Sequence, residues 1–114
     1  MIFEKGEKVH IITRRQFEND VRRHFAGIVI DSSDFTMRVE GYVFVHNLSD
    51  NQFEKRFEKR MRIVSLVDAN NLINVIPRNI EIDALEYFTS DNNRLVLTDN
   101  KGYTLDINEF SGIR

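Results

Sequence analysis

Between residues 35 and 48 apolar and polar positions alternate almost without fault. Phe35, Met37, Val39, Gly41, Val43 and Val45 fall on one side, and Thr36, Arg38, Glu40, Tyr42, Phe44 and His46 on the other. A period of two is what a strand with one buried face requires, so this stretch predicts a long strand. Gly41, in its interior, offers no side chain to pack, the usual mark of a bulge or sharp bend. The expected consequence is a sheet that curls on itself into a small closed barrel.

Shorter apolar runs flank the long one. Lys8 to Arg15 (KVHIITRR), rich in β-branched residues and preceded by Gly6, predicts a first strand, and His24 to Asp31 a second. Residues 61–67 (MRIVSLV) and 72–76 (LINVI) surround the polar Asp68-Ala69-Asn70-Asn71 and predict a hairpin. Pro77, with no N–H to donate, ends it. NIEIDALEYF then offers a short strand or a single helical turn, and NRLVLTDNKGYTLDINEF a terminal hairpin about Asp99-Asn100-Lys101-Gly102. One helical candidate runs from Arg15 to Arg23, with Phe17 and Val21 four apart.

FEKRFEKR, residues 53–60, fits both periods. Phe53, Phe57 and Met61 are four apart, yet Phe53, Lys55, Phe57, Lys59 and Met61 also alternate. A helix would stack Glu54 on Glu58, Lys55 on Lys59 and Arg56 on Arg60, all like charges, so the strand is preferred. It extends the long strand into a projecting hairpin with Ser49 to Gln52 at its tip. Six or seven strands at this spacing predict an all-β fold. We expect one domain over residues 1–114, with a barrel of five or so strands over 8–88 and an additional C-terminal hairpin over 93–110.

Composition narrows the function more than the fold. At 41% hydrophobic and 30% charged, the 114 residues describe a globular chain able to bury one core. No apolar run approaches the ~20 residues of a membrane span, and MIFEKGEKV lacks the apolar segment of a signal peptide. The absence of cysteine removes disulfides, thiolate catalysis and cysteine-based zinc sites. A cytoplasmic location without a membrane partner is the expectation. The net charge of −2 argues against a strong nonspecific polyanion binder. The basic side chains are nonetheless concentrated in the first half, mostly as arginine, including the pairs Arg14-Arg15 and Arg22-Arg23. Arginine suits bidentate contact with phosphate or carboxylate better than lysine does.

Catalytic and metal signatures are absent. His10, His24 and His46 fall on three predicted strands with no ligand spacing. DNKGYTLDINEF superficially suggests a calcium loop, but with Gly102 at the sixth position, Leu97, Lys101 and Asn108 occupy the first, fifth and twelfth. A hairpin turn accounts for it better. With no nucleophile elbow and no phosphate-cradling glycine loop, we expect neither enzymatic activity, nor a cofactor, nor a small-molecule substrate.

One constellation remains. Phe25-Ala26-Gly27-Ile28-Val29, followed by Asp34-Phe35-Thr36-Met37-Arg38, resembles the first signature of the Sm-like RNA-binding proteins. That signature is an apolar-x-Gly-x-apolar strand, then Asp-x-aromatic-Met-Asn at a turn. IVSLVDANNLINVIPRNI would supply the last two strands and Ser49 to Lys59 the variable loop, so the resemblance covers residues 8–88. It implies an SH3-like barrel, assembly as a homo-oligomer or ring through open strand edges, and single-stranded RNA as partner. The implied RNA-binding residues are Asp34, Thr36, Arg38 and Arg78, with Asp34 more a fixer of the turn through backbone N–H bonds than a contact. Thr36 replaces the usual aromatic and Arg38 the asparagine, and Arg78 after Pro77 is an approximate substitute for the absent Arg-Gly dipeptide. Asp31-Ser32-Ser33 also resembles the motif of PilZ cyclic-dinucleotide receptors, with Thr36 where its glycine stands. The competing class is a barrel for protein contact or assembly whose arginines are solvated or ion-paired.

Overall fold

The structure, a computed structural model, describes residues 2–14, 21–47, 49–50, 52–68, 70–89 and 94–107. Within them the chain is all β. The strands are β1 (Lys8–Thr13), β2 (Arg23–Ser32), β3 (Thr36–Asn47), β4 (Gln52–Lys55), β5 (Arg60–Ser65), β6 (Asn71–Ile76), β7 (Glu86–Thr89), β8 (Leu95–Thr98) and β9 (Thr104–Asp106), with one 3-10 turn at Ile82–Ala84. No helix among the described residues is long and apolar enough to cross a membrane. The chain divides into two compact units, Met1–Asn79 and Ile80–Arg114.

In the first unit the antiparallel sheet runs β4-β3-β2-β1-β6, and β5 pairs with the other half of β3. The predicted alternation of β3 holds from Met37 to Val43, whose odd-numbered residues are buried. They form a core with Val9, Ile11, Phe25 and Val29. Beyond Val43 burial passes to the opposite face, where Phe44 is 1% exposed and His46 9%. The strand expected to have one buried side therefore buries each side in turn.

At Gly41 two glycines meet: Gly41 lies opposite Gly27 in the β2–β3 ladder, whose register shifts not there but between Val29 and Asp31. A Cβ on Gly41 would stand 1.9 Å from the Ala26 carbonyl oxygen and 2.5 Å from the Gly27 Cα. Backbones this close admit no side chain, and the Phe25 ring covers the space beside Gly27.

Two expectations are corrected. The runs about Asp68–Asn71 do not form a hairpin: β5 pairs with β3 (Thr36↔Ser65 to Gly41↔Arg60), while β6 pairs with β1. These are opposite edges of one sheet, joined only by residues 66–70. The sheet must curl until its edges meet at that corner, where the Asn71 side-chain amide donates to the Ser65 carbonyl at 3.3 Å. Among the described residues no ladder joins β5 to β6, so the sheet is open rather than a closed barrel. A side-chain bridge meets one backbone acceptor there, where a ladder would pair a whole edge.

FEKRFEKR is only partly strand. Phe44 faces Lys55 and Gly41 faces Arg60, so residues 56–59 stand opposite Tyr42 and Val43 alone. They loop out, leaving Phe57 82% exposed. Because two residues are inserted rather than one, β5 resumes with its side-chain alternation unchanged.

The second unit is a three-stranded antiparallel sheet in the order β7-β8-β9. NIEIDALEYF supplies both alternatives expected of it, the 3-10 turn and then β7, while the predicted terminal hairpin is β8–β9. The division before Ile80 puts β7 with the hairpin instead of with residues 8–79, because β7 pairs with β8. The Thr98 hydroxyl donates to the Tyr103 carbonyl at 2.8 Å, and an Asp99 carboxylate oxygen accepts the Lys101 and Tyr103 N–H groups at 2.8 and 3.1 Å. Those backbone donors hold the Asp99 carboxyl below its ordinary value. Asn100 (φ 61°) and Gly102 (φ 108°) take the left-handed conformations the turn needs. Residues 15–20 of the helical candidate lie outside the described residues, and Val21 and Arg22 are in neither helix nor strand.

Candidate functional site

The β2–β3 turn is built by Ser33. Its N–H donates to the Thr36 carbonyl at 2.8 Å, and its hydroxyl oxygen accepts the N–H groups of Phe35 (3.3 Å) and Thr36 (3.1 Å). Ser32 adds a tether, its hydroxyl donating to the Phe3 carbonyl at 2.6 Å. The serines thus supply turn-fixing bonds of the kind the sequence suggested for Asp34. Phe35, at the tip, is 65% exposed, and its carbonyl accepts the Leu66 N–H at 2.7 Å. The segment that follows β5 therefore lies beside this turn.

Residues two apart on a strand share a face, and this brings Thr36 and Arg38 together. They line a cavity of about 130 Å³ with Asp31, Ser32, Ser33 and Ile63, near the size of the cavities of about 150 Å³ that hold a benzene ring. Arg38 is exposed and, among the described residues, has no ion-pair partner. Asp31 lies opposite it in the ladder and lines the same cavity, so the pocket carries one charge of each sign.

The other two candidates are placed differently. Asp34 is exposed in the turn but does not line the cavity. Arg78 follows β6, where its guanidinium lies 3.8 Å from the Glu4 carboxylate and against Gly6. Tyr42 is also engaged elsewhere, with the ammonium groups of Lys55 and Lys59 at 4.7 and 5.8 Å from its ring centre.

The opposite face of β3 gathers the three histidines, two of which a curled sheet was expected to be able to bring together. His10, His24 and His46 come from β1, β2 and β3 onto one face. His10 and His24 meet edge to face at 5.6 Å, His24 stacks on Phe53 at 4.6 Å, and His46 meets the same ring at 5.2 Å. Burial lowers the pKa of His10 to about 4. Burial lowers that of His24 to about 3, helped by the charges of His10, Arg22 and His46. The Asn74 amide lies 3.3 Å from His10 Nδ1, a contact that suits a neutral ring accepting at that nitrogen. No group of three His, Cys, Asp or Glu among the described residues could hold a metal. These rings act as core residues. The signal in the sequence was their placement on three predicted strands; the shared face is set by the register between those strands.

Fold and site define an all-β protein with a curled, open sheet and a small polar pocket at its β2–β3 turn. Comparison with family models, curated proteins and solved structures finds no match to the chain. The Sm-like resemblance accordingly stands on the motif residues themselves.

Proposed function

We propose that the chain is an Sm-like oligomeric module without enzymatic activity that holds single-stranded RNA at the Thr36 and Arg38 pocket. The observation that carries this reading is the exposed Arg38 guanidinium, without an ion-pair partner among the described residues, in the lining of an open pocket of about 130 Å³. There it can contact a base edge or a phosphate while the base rests on Ile63 and the Thr36 methyl. Assembly rests on the sheet edges: among the described residues β5 and β6 each have a single partner strand, and they expose Met61, Ile63 and Val75. Open edges of this kind pair with other strands unless something blocks them. A cytoplasmic location belongs to the same reading, on the cysteine-free composition.

A second reading, assembly without nucleic acid, is favoured by Asp31 inside the pocket and by Arg78 on Glu4, since both weaken the attraction for phosphate. Fluorescence anisotropy with a labelled oligo-RNA across a salt series, together with native mass, separates the two. The first predicts an oligomer whose log affinity falls with log salt by about 0.7 per phosphate contact. It also predicts that Arg38→Ala loses binding while Arg94→Ala, whose guanidinium is paired with Asp106 at 2.7 Å, keeps it. An oligomer with no RNA affinity at low salt leaves the second reading, and a monomer without affinity removes both.

A further inference from the structure

The failure of the sheet to close leaves a cleft of about 420 Å³ between β5 and the ends of β1, β2 and β6, within the range of small-molecule sites. Its apolar lining comes from Ile11, Phe25, Val43 and Val64, the core side of the sheet. At the corner where the edges meet, the Thr13 hydroxyl donates to the Asn71 side-chain oxygen at 3.1 Å while the Asn71 amide bridges to Ser65. That end of the cleft is stitched by polar groups which are already satisfied.

Two guanidiniums line the same cleft. Arg23 lies two residues before Phe25 and Arg62 two before Val64, so both emerge on the face that carries the apolar lining. Both are exposed, and among the described residues neither has an ion-pair or hydrogen-bond partner. Asp68, also in the lining, is committed to its turn, where its carboxylate accepts the Asn70 N–H at 2.9 Å. Two cations and one anion leave a single excess positive charge beside an apolar body.

We propose that this cleft binds a small amphiphilic monocarboxylate, its apolar body against Phe25, Val43 and Val64 and its carboxylate on Arg23 and Arg62. Arginine presents its donors as a planar fork that matches a carboxylate. Asp68 disfavours a second negative charge, so a monoanion fits better than a dianion. The cleft shares Ile63 with the Thr36 and Arg38 pocket, but its two guanidiniums and its core-side lining are its own, so the assignment does not rest on RNA binding there.

Isothermal titration of the full chain with decanoate, decanol and decanedioate tests the assignment. The expected result is saturable one-site binding of decanoate, with decanol weaker by about tenfold or more, the size of a lost charge-assisted hydrogen bond, and decanedioate weaker because Asp68 opposes its second carboxylate. The exposed Arg23→Gln and Arg62→Gln pair should weaken decanoate by a similar factor with an unchanged circular dichroism spectrum, whereas Arg38→Gln should not. Equal affinity for decanol and decanoate, no saturation below about 1 mM, where binding is worth only ~4 kcal/mol, or loss with Arg38→Gln instead overturns the proposal, and the wild-type comparison decides even if the double variant fails to fold.

Discussion

Acidification from pH 7 to pH 5 should destabilise the protein through two histidines. His10 and His24 are 0% and 3% exposed, and their pKa values fall from an ordinary 6.5 to about 4 and about 3. Between those values and 6.5 the unfolded chain binds protons that the folded chain refuses, so stability is full above pH 6.5 and is lost as pH falls. Linkage gives about 2 kcal/mol for each histidine over this interval. The pair gives about 4 kcal/mol, because both rings stay neutral in the folded state down to pH 5 and their contributions add. That is a large fraction of the 5–15 kcal/mol that holds a typical domain. Urea unfolding at pH 7.5, 6.5, 5.5 and 5.0 should show the midpoint falling steadily below pH 6.5. His24→Phe, which keeps a ring on Phe53 but cannot titrate, should remove about half of the dependence. A midpoint constant to within about 0.5 kcal/mol between pH 7 and pH 5, or folded-state NMR titration of either ring near 6.5, would refute the argument.

Three substitutions test the backbone geometry. Gly41→Ala places a methyl 1.9 Å from the Ala26 carbonyl oxygen and should cost about 3 kcal/mol or more or prevent folding, seen as loss of the cooperative urea transition. Gly102→Ala has open space around the new methyl but an unsuitable φ of 108°, so the cost should be about 1 to 3 kcal/mol from strain alone with the fold intact by circular dichroism. Ser33→Ala removes the acceptor for two backbone N–H groups at an exposed turn; we expect a loss of about 1 kcal/mol in the same unfolding assay.

The sequence carries the strands clearly because alternation is a local property. Met37 through Val43 face the core as the period of two requires, and β1, β2, β3, β6 and β8 appear within a few residues of their predicted bounds. Pairing is not local: the hairpins β3–β4 and β8–β9 form as expected, and the reading fails where the partner strand is distant in sequence. The run 61–67 looks the same whether it meets 72–76 across a turn or β3 across the whole sheet. The choice is made by β3, whose 12 residues are long enough to take β4 on one half and β5 on the other. The same distinction separates the candidate residues. Thr36 and Arg38 share a pocket because two positions on one strand must share a face, a relation the sequence already contains. Arg78 is positioned by the β1–β6 ladder, which fixes Lys8 opposite Ile76 and so delivers the residues after Pro77 to Glu4 and Gly6. The histidines follow the same logic in reverse. His10 sits opposite Ala26, His24 opposite Phe44 and His46 opposite Phe53, so three ladders had to be in register before the rings could meet. A one-residue slip in any of them would turn a ring to the other face. Their stacked contacts therefore report on the register of the sheet, and an acid-induced loss of stability is what burying them there entails.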